Sequence, residues 1–227
     1  MREIVFDTET TGLDPRTGDR MVEIGCIELV NRVPTGATFH AYFNPDRDMP
    51  EGAEAVHGLS AAFLSDKPRF RDKCAELLAF IADAPLVAHN AGFDFAFLNF
   101  ELDLCGLEAV CTSRMVDTVA LAKRRHPGAK LSLDALCTRY GIDRSHRVKH
   151  GALLDAELLA QVYVELTGGR QIGLSLAGTM ADETVVTILQ PVRDRPFRPA
   201  RPHAASAAEL ARHAAFVARI EGAIWAA

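Results

Sequence analysis

The sequence predicts an α/β layered domain built on a mixed β-sheet. Three observations carry that expectation. β-rich runs open the chain, the apolar spacing then switches to a helical period, and one short apolar run, "PLVAHN", interrupts the helices. "EIVFDTETTG" is a β-rich run stopped by a Gly turn, and "MVEIGCIELV" and "GATFHAYFNP" follow it as strands, so the opening reads as an antiparallel meander. In "RFRDKCAELLAFIADA", Phe70, Cys74, Leu77, Leu78 and Ile81 share one helical face. "PLVAHN" reads as a buried strand and "GFDFAFLNFELDLCGL" as a helix ended by Gly106. "SLDALCTRYG" starts on Ser132 as N-cap and stops at Gly141. "ALLDAELLAQVYVELTGG" aligns Leu159, Val162, Tyr163 and Leu166 on one stripe and ends at Gly168–Gly169.

Beyond that point the composition changes. "QPVRDRPFRPARPH" is rich in Pro and Arg, as linkers are. "SAAELARHAAFVARIEGAIW" then reads as a helix, with Ser206 and Glu209 as a capping box and Leu210, Val217, Ile220 and Ile224 as an apolar stripe. This helix fits a terminal element packed on the same domain and a docking element equally well.

The chain has 227 residues, 48% of them hydrophobic, enough to bury a sizeable core. Its net charge of −5 excludes a general polyanion binder, so contacts with nucleic acid must be local or supported by a partner. Cys26, Cys74, Cys105, Cys111 and Cys137 form no CxxC pair and read as buried small hydrophobes in a reducing compartment. The N-terminus does not resemble a signal peptide, and no run of about eighteen apolar residues occurs, so a cytoplasmic protein without a membrane partner is expected.

Asp7 and Glu9 stand two apart in the first strand, so both carboxylates project from one face. Buried acids need partners, and a hard divalent cation such as Mg²⁺ or Mn²⁺ is the natural one for oxygen donors. Asp94 falls one turn into the helix after "PLVAHN", where it would point into the crevice at the strand ends. Asp155 begins the inward stripe of the last long helix, and His150 precedes it on the entering loop. Asp7 and Glu9 alone fit a solvated strand end and Asp94 a helix-dipole position, whereas an unpaired Asp155 on the inward stripe would be costly. Together, four acids at element ends and one His match a two-metal phosphodiester hydrolase, with the His as base for the attacking water.

"DTETTG", "HNAGFD" and "HGALLD" resemble the three motifs of the DEDDh 3′→5′ exonucleases, in the ribonuclease H-like superfamily. Within that family their order and wording are most similar to the proofreading subunits of bacterial DNA polymerase III, as are "VHGLS", "DKPRF" and "SLDALCTRYGID". The resemblance spans residues 3 to 176 and implies a ribonuclease H-like mixed sheet flanked by helices, with a C-terminal tail ending in a helix. It implies that Asp7, Glu9, Asp94 and Asp155 bind two divalent ions, Mg²⁺ or Mn²⁺, and that His150 is the general base. It also implies that Thr10, His57, Asn90 and Phe93 line the site of the terminal nucleotide of a single-stranded or frayed DNA 3′ end. An aromatic face such as Phe93 can stack a frayed base, whereas Phe97 and Phe100 read as helix packing. Arg144, Arg147 and Lys149 are candidate phosphate contacts.

The stretch "QIGLSL" alternates Ile172, Leu174 and Leu176 with small residues, as a closing edge strand would. The resemblance instead places there the peptide that docks on the sliding clamp, with Gln171, Leu174 and Leu176 as anchors. The expected organisation is an exonuclease domain over residues 1–169, the clamp peptide over 170–177, a linker over 178–202 and a helix docking on the polymerase III alpha subunit over 203–227. Tethering of this kind supplies effective concentration at a bacterial replisome. A free-standing exoribonuclease would need the same acids and His but no tail, and a non-enzymatic adaptor would not need the acids.

Overall fold

The computed structural model describes residues 1–145, 149–169 and 204–221. Strands β1 (Arg2–Thr10), β2 (Met21–Val30) and β3 (Val33–Tyr42) form the expected antiparallel meander. β3 starts earlier than the quoted run because Asn31 and Arg32, both at positive φ, turn the chain in two residues. Two short strands, β4 (Leu86–Ala88) and β5 (Met115–Asp117), add in parallel to β1, giving the order β3-β2-β1-β4-β5. The sheet is therefore mixed.

Eight α-helices occur among the described residues: α1 (Glu51–His57), α2 (Ala61–Leu64), α3 (Phe70–Ile81), α4 (Ala91–Leu104), α5 (Thr118–Arg125), α6 (Leu133–Tyr140), α7 (Ala152–Leu166) and α8 (Ala207–Val217). The expected caps form. Ser132 Oγ accepts from Ala135 N, and Gly106 and Gly141 take the left-handed conformation that ends α4 and α6. β5, α1, α2 and α5 go beyond the sequence expectation, being too short to show a period.

Each face of the sheet carries a helical layer. Ile4, Phe6 and Ile24 pack with Phe70, Leu77 and Ile81 of α3 and with Phe95 and Leu98 of α4. Val5, Ile27 and Leu29 pack on the opposite face with Leu136 of α6 and with Leu159, Val162 and Tyr163 of α7. Cys26, Cys74 and Cys137 are buried as expected; Cys105, which follows α4 and packs on the edge of the core, is half-buried, and Cys111 is exposed. Among the described residues no helix is long and apolar enough to cross a membrane.

The chain divides into two compact units, Met1–Leu176 and Ala177–Ala227. The described part of the second contains α8, whose capping box forms as expected, Ser206 Oγ accepting from Glu209 N while Glu209 Oε2 accepts from Ser206 N. Of its expected stripe, Leu210 and Ile220 are exposed and Val217 is buried. Ile224, the linker, the clamp anchors Gln171, Leu174 and Leu176, and Arg147 lie outside the described residues.

Inside the α7 layer, the Tyr163 hydroxyl donates to the buried Glu3 carboxylate at 2.6 Å. Removing a donor from a buried acceptor costs more than the net bond, about 1–3 kcal/mol. Tyr163→Phe is accordingly expected to lower unfolding free energy by about 1–3 kcal/mol in urea denaturation, and an unchanged midpoint and slope would contradict this role.

Candidate active site

The strand alternation of β1 divides its residues between the two layers. Glu3 and Val5 face α7, so Asp7 and Glu9 follow on that face, while Thr8 turns to α4. In the ladder Asp7 stands opposite Gly25 of β2. A Cβ on Gly25 would lie 2.3 Å from both N and Cα of Leu153, so the first turn of α7 rests directly on the strand. That approach carries Asp155, in the first turn, and His150, just ahead of the N-cap Gly151, to the end of β1. Donor atoms of Glu9, His150 and Asp155 all lie within 4.8 Å of one another. His150 Nδ1 is 3.1 Å from Asp155 Oδ2, with the imidazole 48% exposed and the carboxylate 3% exposed.

The opposite layer contributes Asp94. β4 leads into α4 through Asn90, an N-cap residue in left-handed conformation whose N–H donates to Asp117 Oδ1. Asp94 lies in the first turn, where the helix dipole favours a carboxylate. Thr8 Oγ1 donates to its Oδ1 at 2.7 Å. Burial nonetheless dominates and pushes the Asp94 carboxyl up to about 7.

All the expected acids and His150 line one cavity of about 280 Å³, together with Asn90 and Phe93. Thr10 and His57 line a neighbouring cavity of about 460 Å³ that shares Thr8, Glu9 and Phe93 with the first. Phe93 packs on Phe97 at 4.9 Å between centroids, and Phe97 is buried as a packing residue should be. His57 ends α1, and its Nδ1 accepts from Leu59 N at 3.0 Å, which places the ring proton on Nε2. Burial lowers the His57 pKa, with the Thr10 backbone and nearby acids acting the other way, and Nε2 meets hydrogen-bond geometry with no described group. A neutral imidazole whose buried Nε2–H has only the Thr10 backbone nearby, outside hydrogen-bond geometry, is suited to donate to a ligand. Of the candidate phosphate contacts, Arg144 pairs with Asp134 at 2.9 Å and the Lys149 side chain lies over Gly58, where a Cβ would meet it at 2.6 Å.

Five cavity residues lie outside the expected site: Thr8, His89, Ser132, Leu133 and Asp134. Thr8 could have been found, because alternation forces it away from Asp7 and Glu9 toward the helix bearing Asp94. His89 donates or accepts at Thr118 Oγ1, and burial lowers its pKa. Ser132 is visible as an N-cap, but its position beside the acids depends on how α6 packs, which no local pattern reports.

The exonuclease family RNase_T matches residues 4–163. The chain belongs to this exonuclease family. Among curated members, the DNA polymerase III subunit epsilon of Rickettsia felis is 53% identical over 190 residues, covering 82% of this chain and 81% of the relative. The same subunit of Escherichia coli is 45% identical over 190 residues, covering 81% and 77%. Among solved structures, exonuclease X in complex with 5′ overhanging duplex DNA is 25% identical, with TM-score 0.57, covering 72% of this chain and 90% of that chain. The nuclease domain of 3′hExo, a DEDDh family member bound to rAMP, is 16% identical with TM-score 0.64, covering 73% and 91%, and shows the shared ribonuclease H-like fold. The expected family and fold class are thereby established, and members of this exonuclease family depend on divalent metals.

The donor set fits such a metal: Glu9 and Asp155 are buried oxygen donors beside an imidazole, and buried carboxylates call for a compensating cation. Without one, Asp94 is a stability liability. Its folded pKa of about 7 lies above the ordinary 3.8, so the folded state holds the proton longer than the unfolded state and stability falls as pH rises between those values. In chelator-treated protein, Asp94→Asn should therefore raise the melting temperature relative to the parent, and more at pH 8 than at pH 5. An advantage independent of pH would contradict this account.

Proposed function

We propose that this exonuclease removes mispaired 3′-terminal nucleotides from DNA as the proofreading subunit of a bacterial DNA polymerase III, releasing nucleoside 5′-monophosphates. The observation that carries the reading is the convergence of Glu9, Asp155 and His150 in a cavity that Asp7 and Asp94 also line. The names of the curated relatives support a replicative DNA substrate over the alternative of a free-standing exoribonuclease.

In this reading Asp7, Glu9, Asp94 and Asp155 hold two divalent ions, Mg²⁺ or Mn²⁺. Bound there, such ions supply charge stabilisation for the transition state and a lowered pKa for the attacking water. His150 removes that water's proton. Asp155 can only accept at their contact, so Nδ1 donates and Nε2 becomes the basic nitrogen. Phe93, supported by Phe97, stacks the terminal base, and the His57 Nε2–H donates to the terminal nucleotide beside Thr10, with Asn90 on the other side. A mispaired end frays more readily and reaches these residues more often, so discrimination needs no base-reading pocket.

The tail is proposed to be the tether. Gln171, Leu174 and Leu176 dock on the sliding clamp, and the terminal helix docks on the polymerase alpha subunit; the exposed Leu210 and Phe216 of α8 support that use. The domain boundaries given above belong to the same proposal, as does a cytoplasmic replisome as its place of action.

Asp7→Ala and Asp155→Ala are expected to abolish 3′→5′ degradation of single-stranded DNA. His150→Ala should lower kcat by about 10²–10⁴ with little change in KM; parallel loss of affinity would make His150 structural. Replacing both Gln171 and Leu174 with Ala should abolish clamp binding while sparing hydrolysis, and an unchanged clamp Kd would contradict the assignment.

A further inference from the structure

A second buried acid is paired with Glu9 across the sheet. In the β1–β2 ladder Glu9 is opposite Glu23, and directly opposed residues of an antiparallel pair hold their Cβ atoms about 4.5–5.5 Å apart on one face. Both are buried, Glu23 at 3% exposure. Like charges placed opposite each other repel, and a low local dielectric strengthens the repulsion. Such a pair costs stability unless a cation relieves it.

Glu23 is held firmly from the side away from Glu9. His40 Nε2 of β3 donates to Glu23 Oε1 at 2.7 Å. Tyr42, paired with Glu23 in the β2–β3 ladder, turns its hydroxyl to the same carboxylate; burial, and then this carboxylate, push its pKa up. The His40 ring sits edge-on to Tyr42 at 4.7 Å, and Tyr42 is braced in turn by Phe63 at 5.1 Å. An aromatic shelf on the edge strand thus fixes a buried acid opposite a candidate metal ligand in the ladder.

We propose that Glu23 is a positioning residue of the metal site: anchored by His40 and Tyr42, it holds a second negative charge against Glu9 and so raises the site's affinity for a divalent cation. The inference rests on Glu9 being a metal ligand. Groups just outside the ligands of a metal site typically contribute 10–100-fold in metal affinity or activity. The repulsion that weakens the metal-free protein is relieved on binding, so metal should stabilise the parent more than a variant lacking the second charge.

The experiment is a Mn²⁺ titration of the full chain, read by melting temperature and by the EPR signal of free Mn²⁺, with hydrolysis measured in parallel. Glu23→Gln is expected to raise the Mn²⁺ Kd and the half-activating concentration about tenfold, to shrink the Mn²⁺-induced rise in melting temperature, and to leave kcat at saturating Mn²⁺ and KM for DNA near those of the parent. His40→Ala should shift the Mn²⁺ Kd in the same direction, and His40→Gln, which keeps a donor, should shift it less. A folded Glu23→Gln protein with the parent's Mn²⁺ Kd overturns the inference. If Glu23→Gln shows no cooperative melt, the His40 pair decides, and a parental Mn²⁺ Kd in His40→Ala overturns it. Glu9→Gln separates the two levels: parental Mn²⁺ affinity there overturns the ligand assignment itself, whereas loss there with none in Glu23→Gln overturns only the role of Glu23.

Discussion

The site depends on one close approach, that of the first turn of α7 to β2 at Gly25. No side chain fits there, because a Cβ would fall 2.3 Å from the backbone of Leu153. The ladder puts Gly25 opposite Asp7, so the contact sets α7 down beside the strand that carries Asp7 and Glu9. Asp155 and His150 reach Glu9 because the helix starts where it does. Below this contact the apolar stripe of α7 packs on Val5, Ile27 and Leu29, which holds the helix but does not fix its height along the strand. The glycine removes the obstacle, and the core supplies the force.

The second constraint is the alternation of β1. One strand serves both layers by sending Asp7 and Glu9 to the α7 face and Thr8 to the α4 face, where Thr8 holds Asp94. The acids thereby meet at a strand end from both sides of the sheet. Their burial is unfavourable in isolation, as the raised Asp94 pKa indicates. A cation site is a reason for such burial, and the Glu9–Glu23 pair extends the same logic one strand outward. Stability given up here is recovered in the two apolar layers and in pairs such as Arg20–Glu101, which joins the β1–β2 loop to α4 through two contacts of 2.7 Å.

Much of this was legible in the sequence, and the misses have physical reasons. The long elements carry their own period or alternation, so β1, β2, α3, α4 and α7 could be read locally, as could the caps Ser132, Gly106, Gly141 and Ser206. β5 and α2 are shorter than one readable repeat, and α1 is set by Pro50 and Gly58 rather than by an apolar stripe. The acids and His150 were recognisable from residue type, position at element ends and resemblance to an exonuclease family. Glu23 was not, since in "MVEIGC" it is one acid in a strand, and its proximity to Glu9 exists only in the register. Gly25 was hidden for the same reason: in sequence it is a small residue in a strand, and only the packed helix shows why a larger one is excluded. The alternation of "QIGLSL", by contrast, invites a strand reading that the resemblance replaces with a peptide anchor.

Gly25 lets α7 seat on β2 and so brings the proposed metal ligands together, and Gly25→Ala tests this most directly. The measurement is the Mn²⁺ affinity of the full-length variant, beside its circular dichroism and melting curve. The expected result is a folded protein, destabilised by about 1–3 kcal/mol through overpacking, whose Mn²⁺ affinity is at least about tenfold weaker because Asp155 is displaced from Glu9. A folded Gly25→Ala protein that binds Mn²⁺ as tightly as the parent would contradict the account.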